Sequence, residues 1–574
     1  MRSISPPRVS RSGTDSPRPV AAQTNPVAVE IEDDDDVSTA SESPTQPRPS
    51  RESGTTMEIT QNGILQPQAT NLPTHNFIAS PFKLMLIRDL PSSQNRDTIS
   101  LHDVLGNPLI KEAWIFNFCF DVDWMMTHFD PDVRDLVKVK VVHGSWRNED
   151  GNRIGIEDAC RRWPNVEAAT AYLPDPFGTH HSKMFVLFTH DDQAQVIIHT
   201  ANMLNKDWSN MTQAVWQSPL LPRANIDDSG NVGPYGSGSR FKHDFMAYLK
   251  AYGSKTKALR DQLGLFNFNG IKGALVSSVP SRTKEEDFEE EDTLWGYPRL
   301  CKILREIKQP PPSTTRPHLV CQVSSIATLS VTWLTRFFNS LFKRNDNHKL
   351  SLDQVSIIYP TPSNVASSLD GYAAGGSIHT KAQSAAHLKQ ITTLHNTLSQ
   401  WTEGPSPAFR AQRHEAAPHI KTYVQYRERP TLQQPTPDID WALLTSANLS
   451  TQAWGAFREK EKEVVVQSFE IGVLVWPGLF SEGFDSQPAG GGRDDGSTPH
   501  PNDVRMVPVF GKDMPSQANV TASVGTTPTT AVVGLRIPYD LPLTRYGSTE
   551  LPWSPHGTYE SPDRHGRRWP RHFA

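Results

Sequence analysis

His181 and Lys183 stand two residues apart at the start of the apolar run MFVLF, and a second apolar run, VIIHT, leads into Asn202. Residues i and i+2 of a strand share a face, so an imidazole and an ammonium spaced this way point into one cavity. Far along the chain the pattern returns: His419 and Lys421 precede TYVQY, and WALLTSAN ends on Asn448. A single His-x-Lys is an ordinary strand edge. Two of them, each followed by two hydrophobic segments and then Ser/Thr-Ala-Asn, form a repeat with a function attached.

The chemistry these types suit is transfer at phosphorus. Hydrolysis of a phosphodiester without a metal needs a nucleophile, a proton for the leaving oxygen, and cations or amide donors around the nonbridging oxygens. Two histidines can supply the first two, because an imidazole near its ordinary pKa is neutral in one setting and protonated in another. Lys183, Lys421, Asn202 and Asn448 would hold the oxygens. Attack by a neutral histidine gives a phosphohistidine that water then cleaves, with the second histidine acting first as acid and then as base. No Asp, Glu and His cluster has metal-ligand spacing, so neither a metal nor another cofactor is expected. A third His-x-Lys, His379 and Lys381, precedes a surface-helix pattern with no Ala-Asn element on schedule, and is expected to be non-catalytic.

The elements that must position these groups occupy most of the chain. With 574 residues and 36% hydrophobic composition, more than one core can form, and the duplicated motif argues for two units. The net charge of -5, from 57 basic and 62 acidic residues, excludes a generally basic nucleic-acid coat; contact with DNA would have to come from a local patch. The four cysteines, widely spaced, suit a reduced compartment and exclude a thiolate zinc knuckle. No apolar run approaches a membrane span, and the first residues lack the hydrophobic region of a secretory signal.

Residues 1–78 are rich in Ser, Pro, Thr and Gln and are expected to be a disordered tail. Within it, VAVEIEDDDD (Val27 to Asp36) resembles a SUMO-interacting motif, which docks as an added strand; a solvated acidic patch is the alternative. One folded unit is expected over 79–290 and a second over 291–574, the latter carrying a mobile Gly/Pro/Asp-rich insert at about 481–503. A further mobile segment is expected at NVTASVGTTPTT, and the last twenty residues read as a basic tail touching DNA or an unpacked end.

The two motifs, with FNFCFDVDW, FGTHHSKM, VIIHTANMLNKDW, GYAAGGS, APHIKTY, LLTSANLSTQAWG, FEIGVL and PYDLPLTRYG, resemble the tyrosyl-DNA phosphodiesterase branch of the phospholipase D superfamily, its fungal members included. The resemblance runs from roughly residue 80 to 560. Most of the superfamily completes each motif with an aspartate; this branch keeps Asn. The fold implied is α/β: two pseudo-twofold-related phospholipase-D-like domains, each a mixed sheet flanked by helices, sharing one active site.

The activity implied is hydrolysis of the 3'-phosphotyrosyl bond between DNA and a trapped topoisomerase I, through a phosphohistidine on His181, leaving a 3'-phosphate for repair. Broader processing of 3' adducts is the enzymatic alternative. A phospholipase is disfavoured by the missing motif Asp, and a catalytically dead scaffold by the presence of all six motif groups. The partners implied are single-stranded or duplex DNA with a blocked 3' end and a topoisomerase-derived peptide, met in the nucleus by a monomer.

The resemblance also assigns Gln213 and Glu470 as supports of the catalytic histidines, without saying which supports which. Glu470 stands out independently as a carboxylate in an apolar strand, costly unless partnered; a strand-edge glutamate is the alternative. Phe118, Phe177, Ser377, Ser450 and Trp553 match substrate-channel positions. Phe118 stands where the family has tyrosine, which removes a hydroxyl and keeps a ring, and core packing is the alternative for both phenylalanines.

Overall fold

The computed structural model describes residues 76–224, 232–307, 316–342, 352–481, 504–517 and 531–570, all within the second of two compact units, Leu72–Ala574. Val27–Asp36, the segment 519–530 and all of the expected insert but Ser481 lie outside the described residues.

Seven strands form the body of the first sheet: β1 (Phe82–Leu84), β2 (Ile110–Phe116), β3 (Lys138–His143), β4 (Val166–Thr170), β5 (Met184–Thr189), β6 (Gln193–His199) and β7 (Ala214–Gln217). They lie in the order β1-β7-β6-β5-β2-β3-β4, with Leu221–Pro222 pairing alongside β6. The second sheet contains β8 (Ala274–Ser278), β9 (His318–Gln322), β10 (Val355–Ile358), β11 (Leu398–Ser399), β12 (Thr422–Tyr426), β13 (Ile439–Thr445) and β14 (Glu470–Val475). Their order is β8-β14-β13-β12-β9-β10-β11.

The two orders match strand for strand. In each sheet the last three strands run parallel (β2-β3-β4, β9-β10-β11), and every other neighbour in the row is antiparallel. The pseudo-symmetric pair of mixed sheets is thus as expected, but the change of sheet comes earlier than residue 290. β8 leaves the first half and pairs antiparallel with β14 of the second, where all five of its residues, Ser277 and Ser278 included, are buried. The tail boundary also moves: Asn76–Ile78 form a strand parallel to Ala531–Val533.

Both faces of the first sheet are covered. Trp114, Phe116, Met184, Val186, Val196 and Ile198 enter one core, and the alternating Ala113, Ile115, Phe185, Leu187 and Ile197 enter another, as a strand's period of two requires. Helix α1 (Gly151–Arg162), capped by Asp150, lies on the second of these faces, supplying Ile156 and Ala159. Helix α2 (Gly238–Lys250), capped by Ser237, gives Phe241, Phe245, Tyr248 and Leu249 to the first, which also takes in the second half's strands. The polypeptide beyond Pro552 is neither an unpacked end nor a free basic tail through Pro570. It folds over residues 366–377: Asp563 accepts from the Tyr372 amide (3.0 Å), Arg567 donates to the Asp370 carbonyl (2.7 Å), and Arg564 N–H to that of Ala366 (3.0 Å).

Candidate active site

His181 and Lys183 lie just ahead of β5, and His419 and Lys421 just ahead of β12, the corresponding strand. Alternation decides what each segment shows to either side. In the first copy His180 and Ser182 face away from the pair: His180 Nδ1 donates to the Asn117 carbonyl (3.0 Å), its Nε2 accepts from Tyr252 Oη (3.0 Å), and Tyr252, Tyr248 and Ser182 continue a buried hydroxyl chain. In the second copy the intervening residue is the buried Ile420. Lys183 and Lys421 are fully buried and each donates to the carbonyl of its own motif histidine.

Two backbone crossings join the halves at this point. His181 N–H donates to the Phe469 carbonyl (2.9 Å) and Phe469 N–H to that of Thr179 (2.9 Å); Thr212 N–H donates to the Ala417 carbonyl (2.9 Å) and His419 N–H to that of Thr212 (3.1 Å). Each crossing carries the next residue, Glu470 or Gln213, against the opposite half's histidine. Glu470 Oε2 lies 3.0 Å from His181 Nδ1, and Gln213 Nε2 lies 2.9 Å from His419 Nδ1. The supports therefore cross, Glu470 to His181 and Gln213 to His419, which the sequence left open. The strand-edge reading of Glu470 fails, since it is 4% exposed.

The Ser/Thr of each Ser/Thr-Ala-Asn element has its own task. Thr200 Oγ1 donates to Gln213 Oε1 (2.7 Å), which turns the amide nitrogen toward His419, and Ser446 Oγ donates to Glu470. Asn448 Oδ1 accepts from the Ser324 and Ser325 amides (3.1 and 2.9 Å), leaving its NH2 as the group on offer. Asn202 is held by its backbone, its N–H donating to Asp207 (2.8 Å) and its carbonyl accepting from Trp208 (3.0 Å), while its side-chain oxygen is buried without a protein partner.

Asp207 is the group that sequence reasoning missed. It is fully buried, with Oδ2 3.3 Å from His419 Nδ1 and 3.4 Å from Gln213 Nε2. Only the five-residue interval from Asn202 hints at it; the histidine it faces is some two hundred residues away.

Burial dominates the electrostatics, as it does for any charge taken from water. It lowers His181, against which Glu470 pulls upward, and lowers Lys183 to about 8 against Glu470 and Asp207. His419 falls well below its ordinary value through burial and then the charge of Lys421, and Lys421 falls likewise through burial and Lys183. Burial also raises Asp207. It would raise Glu470 too, but His181, Lys183 and Ser446 outweigh it and hold the carboxyl below the usual range. The site thus crowds four nitrogen bases whose charged forms burial disfavours, a setting that suits an anion. Among the described residues no group of three or more His, Cys, Asp or Glu is arranged to hold a metal ion, and no helix is long and apolar enough to cross a membrane.

A family model for tyrosyl-DNA phosphodiesterase matches residues 81–547. This chain belongs to the tyrosyl-DNA phosphodiesterase family. Its members are phosphodiester hydrolases of the phospholipase D superfamily. The chain is 27% identical to a probable tyrosyl-DNA phosphodiesterase of Schizosaccharomyces pombe, over 87% of this chain and 97% of that one. It is 31% identical to tyrosyl-DNA phosphodiesterase 1 of Drosophila melanogaster, over 76% and 73% of the two chains. A crystal structure of the yeast tyrosyl-DNA phosphodiesterase shares the fold, with a TM-score of 0.55 at 20% identity over 82% of this chain and 98% of that one.

The positions matched to this family's substrate channel fare unequally. Phe118 is 39% exposed, its ring edge-on to His181 with centroids 5.5 Å apart and Lys183 Nζ 5.9 Å over it; Phe177 is 75% exposed. Neither belongs to the core. Ser377, half-buried, precedes His379–Thr380, which pair in parallel with Ser325–Ile326 beside Asn448. Ser450 caps the helix Thr451–Trp454, accepting from the Ala453 amide (3.1 Å), so its lone pair is engaged and its O–H remains to donate. Trp553 is corrected: it is fully buried, its ring stacked on Tyr372 and Tyr559, so it offers no face to a base. Its Nε1 donates to the carbonyls of Gly375 and Ile378 (3.0 and 3.2 Å) and thereby holds the segment carrying Ser377. Helix Ala385–Leu394 follows His379 and Lys381, and the His379 N–H donates to the Ser324 carbonyl (2.9 Å).

Proposed function

We propose that the chain hydrolyses the 3'-phosphotyrosyl bond joining DNA to a trapped topoisomerase I, with His181 as nucleophile and His419 as acid and then base. The observation that carries this is the difference between the partners of the two Nδ1 atoms. A carboxylate accepts, so Glu470 keeps a proton on His181 Nδ1 and leaves the Nε2 lone pair free to attack. An amide NH2 donates, so Gln213 makes His419 Nδ1 an acceptor and puts the proton on Nε2.

A bound phosphodiester brings the negative charge that the buried bases lack and raises the proton affinity of all four. His419 then takes up a second proton at Nδ1, for which Asp207 Oδ2, 3.3 Å away, replaces the Gln213 NH2 as partner. As the bond from His181 Nε2 to phosphorus forms, the bond to the tyrosine oxygen breaks and receives the His419 Nε2 proton. Lys183, Lys421, Asn202 and the Asn448 NH2 bear the charge of the nonbridging oxygens. In the second step His419 takes a proton from water, the hydroxide displaces His181, and a 3'-phosphate leaves.

Lysines stand where a metal would neutralise phosphate, so the reaction needs none. Every group comes from one chain, which supports action as a monomer, and the substrate supports work in the nucleus, with Val27–Asp36 as a segment suited to SUMO. The test is release of a tyrosine-bearing peptide from the 3' end of an oligonucleotide in excess EDTA. Turnover that persists and leaves a 3'-phosphate is expected; loss restored by magnesium would overturn the mechanism.

A further inference from the structure

Among the described residues fifteen large apolar side chains are exposed, and four of these are aromatic: Phe118, Trp146, Tyr172 and Phe177, at 39, 50, 75 and 75%. All four leave one edge of the first sheet. Phe118, Trp146 and Tyr172 follow the C-terminal ends of β2, β3 and β4, which run parallel, and Phe177 lies on the segment from β4 to His181. β5, antiparallel to β2, begins at this same edge directly after Lys183. The loops are tied to one another: Asn117 N–H donates to the Val142 carbonyl (3.1 Å) and Ala171 N–H to that of His143 (2.7 Å), and Gly144 lies so close to His180 that a Cβ there would meet the imidazole's own Cβ.

Rings scattered singly over a surface need no explanation. Confinement of the exposed aromatic side chains among the described residues to one sheet edge that ends at His181 does. Strands about 4.8 Å apart carry the row about 14 Å away from the site across three spacings, room for about four nucleotides at the ~3.4 Å rise of one stacked strand. Cations accompany the rings: Lys183 stands over Phe118, and the Arg147 guanidinium lies 5.1 Å over Trp146. Of the carboxylates on these loops, Asp150 and Asp175 are turned to backbone amides, of Asn152 and Phe177. Rings interleaved with cations suit a polyanion with flat bases better than an apolar peptide.

We propose that this edge is a stacking track for the single DNA strand on the 5' side of the scissile phosphate, with Trp146 and Tyr172 as its outer positions. The inference rests on the reading of the substrate given above, and it makes the enzyme sensitive to strand length without making it sensitive to base sequence.

The experiment compares Trp146→Ala, Tyr172→Ala and Trp146→Phe with the unaltered protein on two 3'-aryl phosphodiesters, a dinucleotide and a single strand longer than the track. Binding of an unmodified single strand is followed in parallel by tryptophan fluorescence. For each alanine variant kcat/KM on the long strand should fall about 5- to 150-fold, the equivalent of one stacked base, with the dinucleotide unaffected and Trp146→Phe close to normal. Equal losses on both substrates with a lower Tm would make the rings structural and overturn the track. So would unchanged values on both, or losses that follow the length of a peptide on the 3' side. If the unaltered protein cleaves neither substrate but the unmodified strand still needs both rings to bind, the proposed reaction falls and the track stands.

Discussion

Glu470 of the second half holds His181 of the first at 3.0 Å, and Gln213 of the first half holds His419 of the second at 2.9 Å. Neither half contains a histidine together with its own support.

Because the Glu470 oxygen that faces His181 Nδ1 also accepts from Ser446, Glu470→Gln should keep an acceptor there but remove the negative charge that stabilises the imidazole as it attacks, while leaving the fold intact. Removing such a partner from a histidine costs about 10²- to 10⁴-fold in kcat, and formation of the protein–DNA adduct is the step that slows. Rapid-quench kinetics would measure it. An unchanged rate of adduct formation would refute the assignment.

The two histidines should fail differently. His181→Ala should give no covalent adduct with the DNA 3'-phosphate, whereas His419→Ala should still form one when the leaving group is a good phenolate, and then resolve it slowly. Denaturing gels of the trapped species show the difference, and equal adduct levels in both variants would contradict it.

Alkaline pH should remove a cation that the reaction needs. Burial lowers Lys183 to about 8, so in the free enzyme the ammonium is present below that pH and lost above it. kcat/KM should fall as pH rises through about 8, and the corresponding limb in kcat should lie higher, because bound phosphate favours the protonated lysine. A profile flat well past pH 8 would show that Lys183 keeps its proton or is not needed.

Trp553 acts on substrate only through the segment it holds. Trp553→Phe preserves most of the stacking but leaves the Ile378 carbonyl without the indole donor and the Gly375 carbonyl with only the Ile378 N–H, at about 1 to 3 kcal/mol for a buried unsatisfied group. Denaturant unfolding should show that loss, and KM for oligonucleotides should rise more than kcat falls. Wild-type stability would mean that water replaces the indole N–H.

The motif groups were legible because each is local: a histidine, a lysine two residues on, two strand-length apolar runs and an asparagine. The pairing of supports was not, since Glu470 and Gln213 meet their histidines across 289 and 206 residues of chain. Asp207 escaped for the same reason, as nothing in its neighbourhood separates it from a surface aspartate. Trp553 was misjudged because the sequence does not say whether a tryptophan near a functional loop faces solvent or the loop itself; here Tyr372 and Tyr559 enclose it. That β8 pairs with β14 was not legible either, because a short strand carries no mark of its partner.

Gln213 immediately precedes β7 and Glu470 opens β14, strands that occupy the same place in the two sheets. A dimer of identical halves would have to carry one residue at both places. Both imidazoles would then hold their protons alike, and nothing would decide which attacks and which gives up a proton. Joining the halves in one polypeptide frees the two places to differ, and a carboxylate opposite an amide is the smallest difference that creates a division of labour. The near-symmetry builds the cavity, and one broken equivalence gives the reaction its direction.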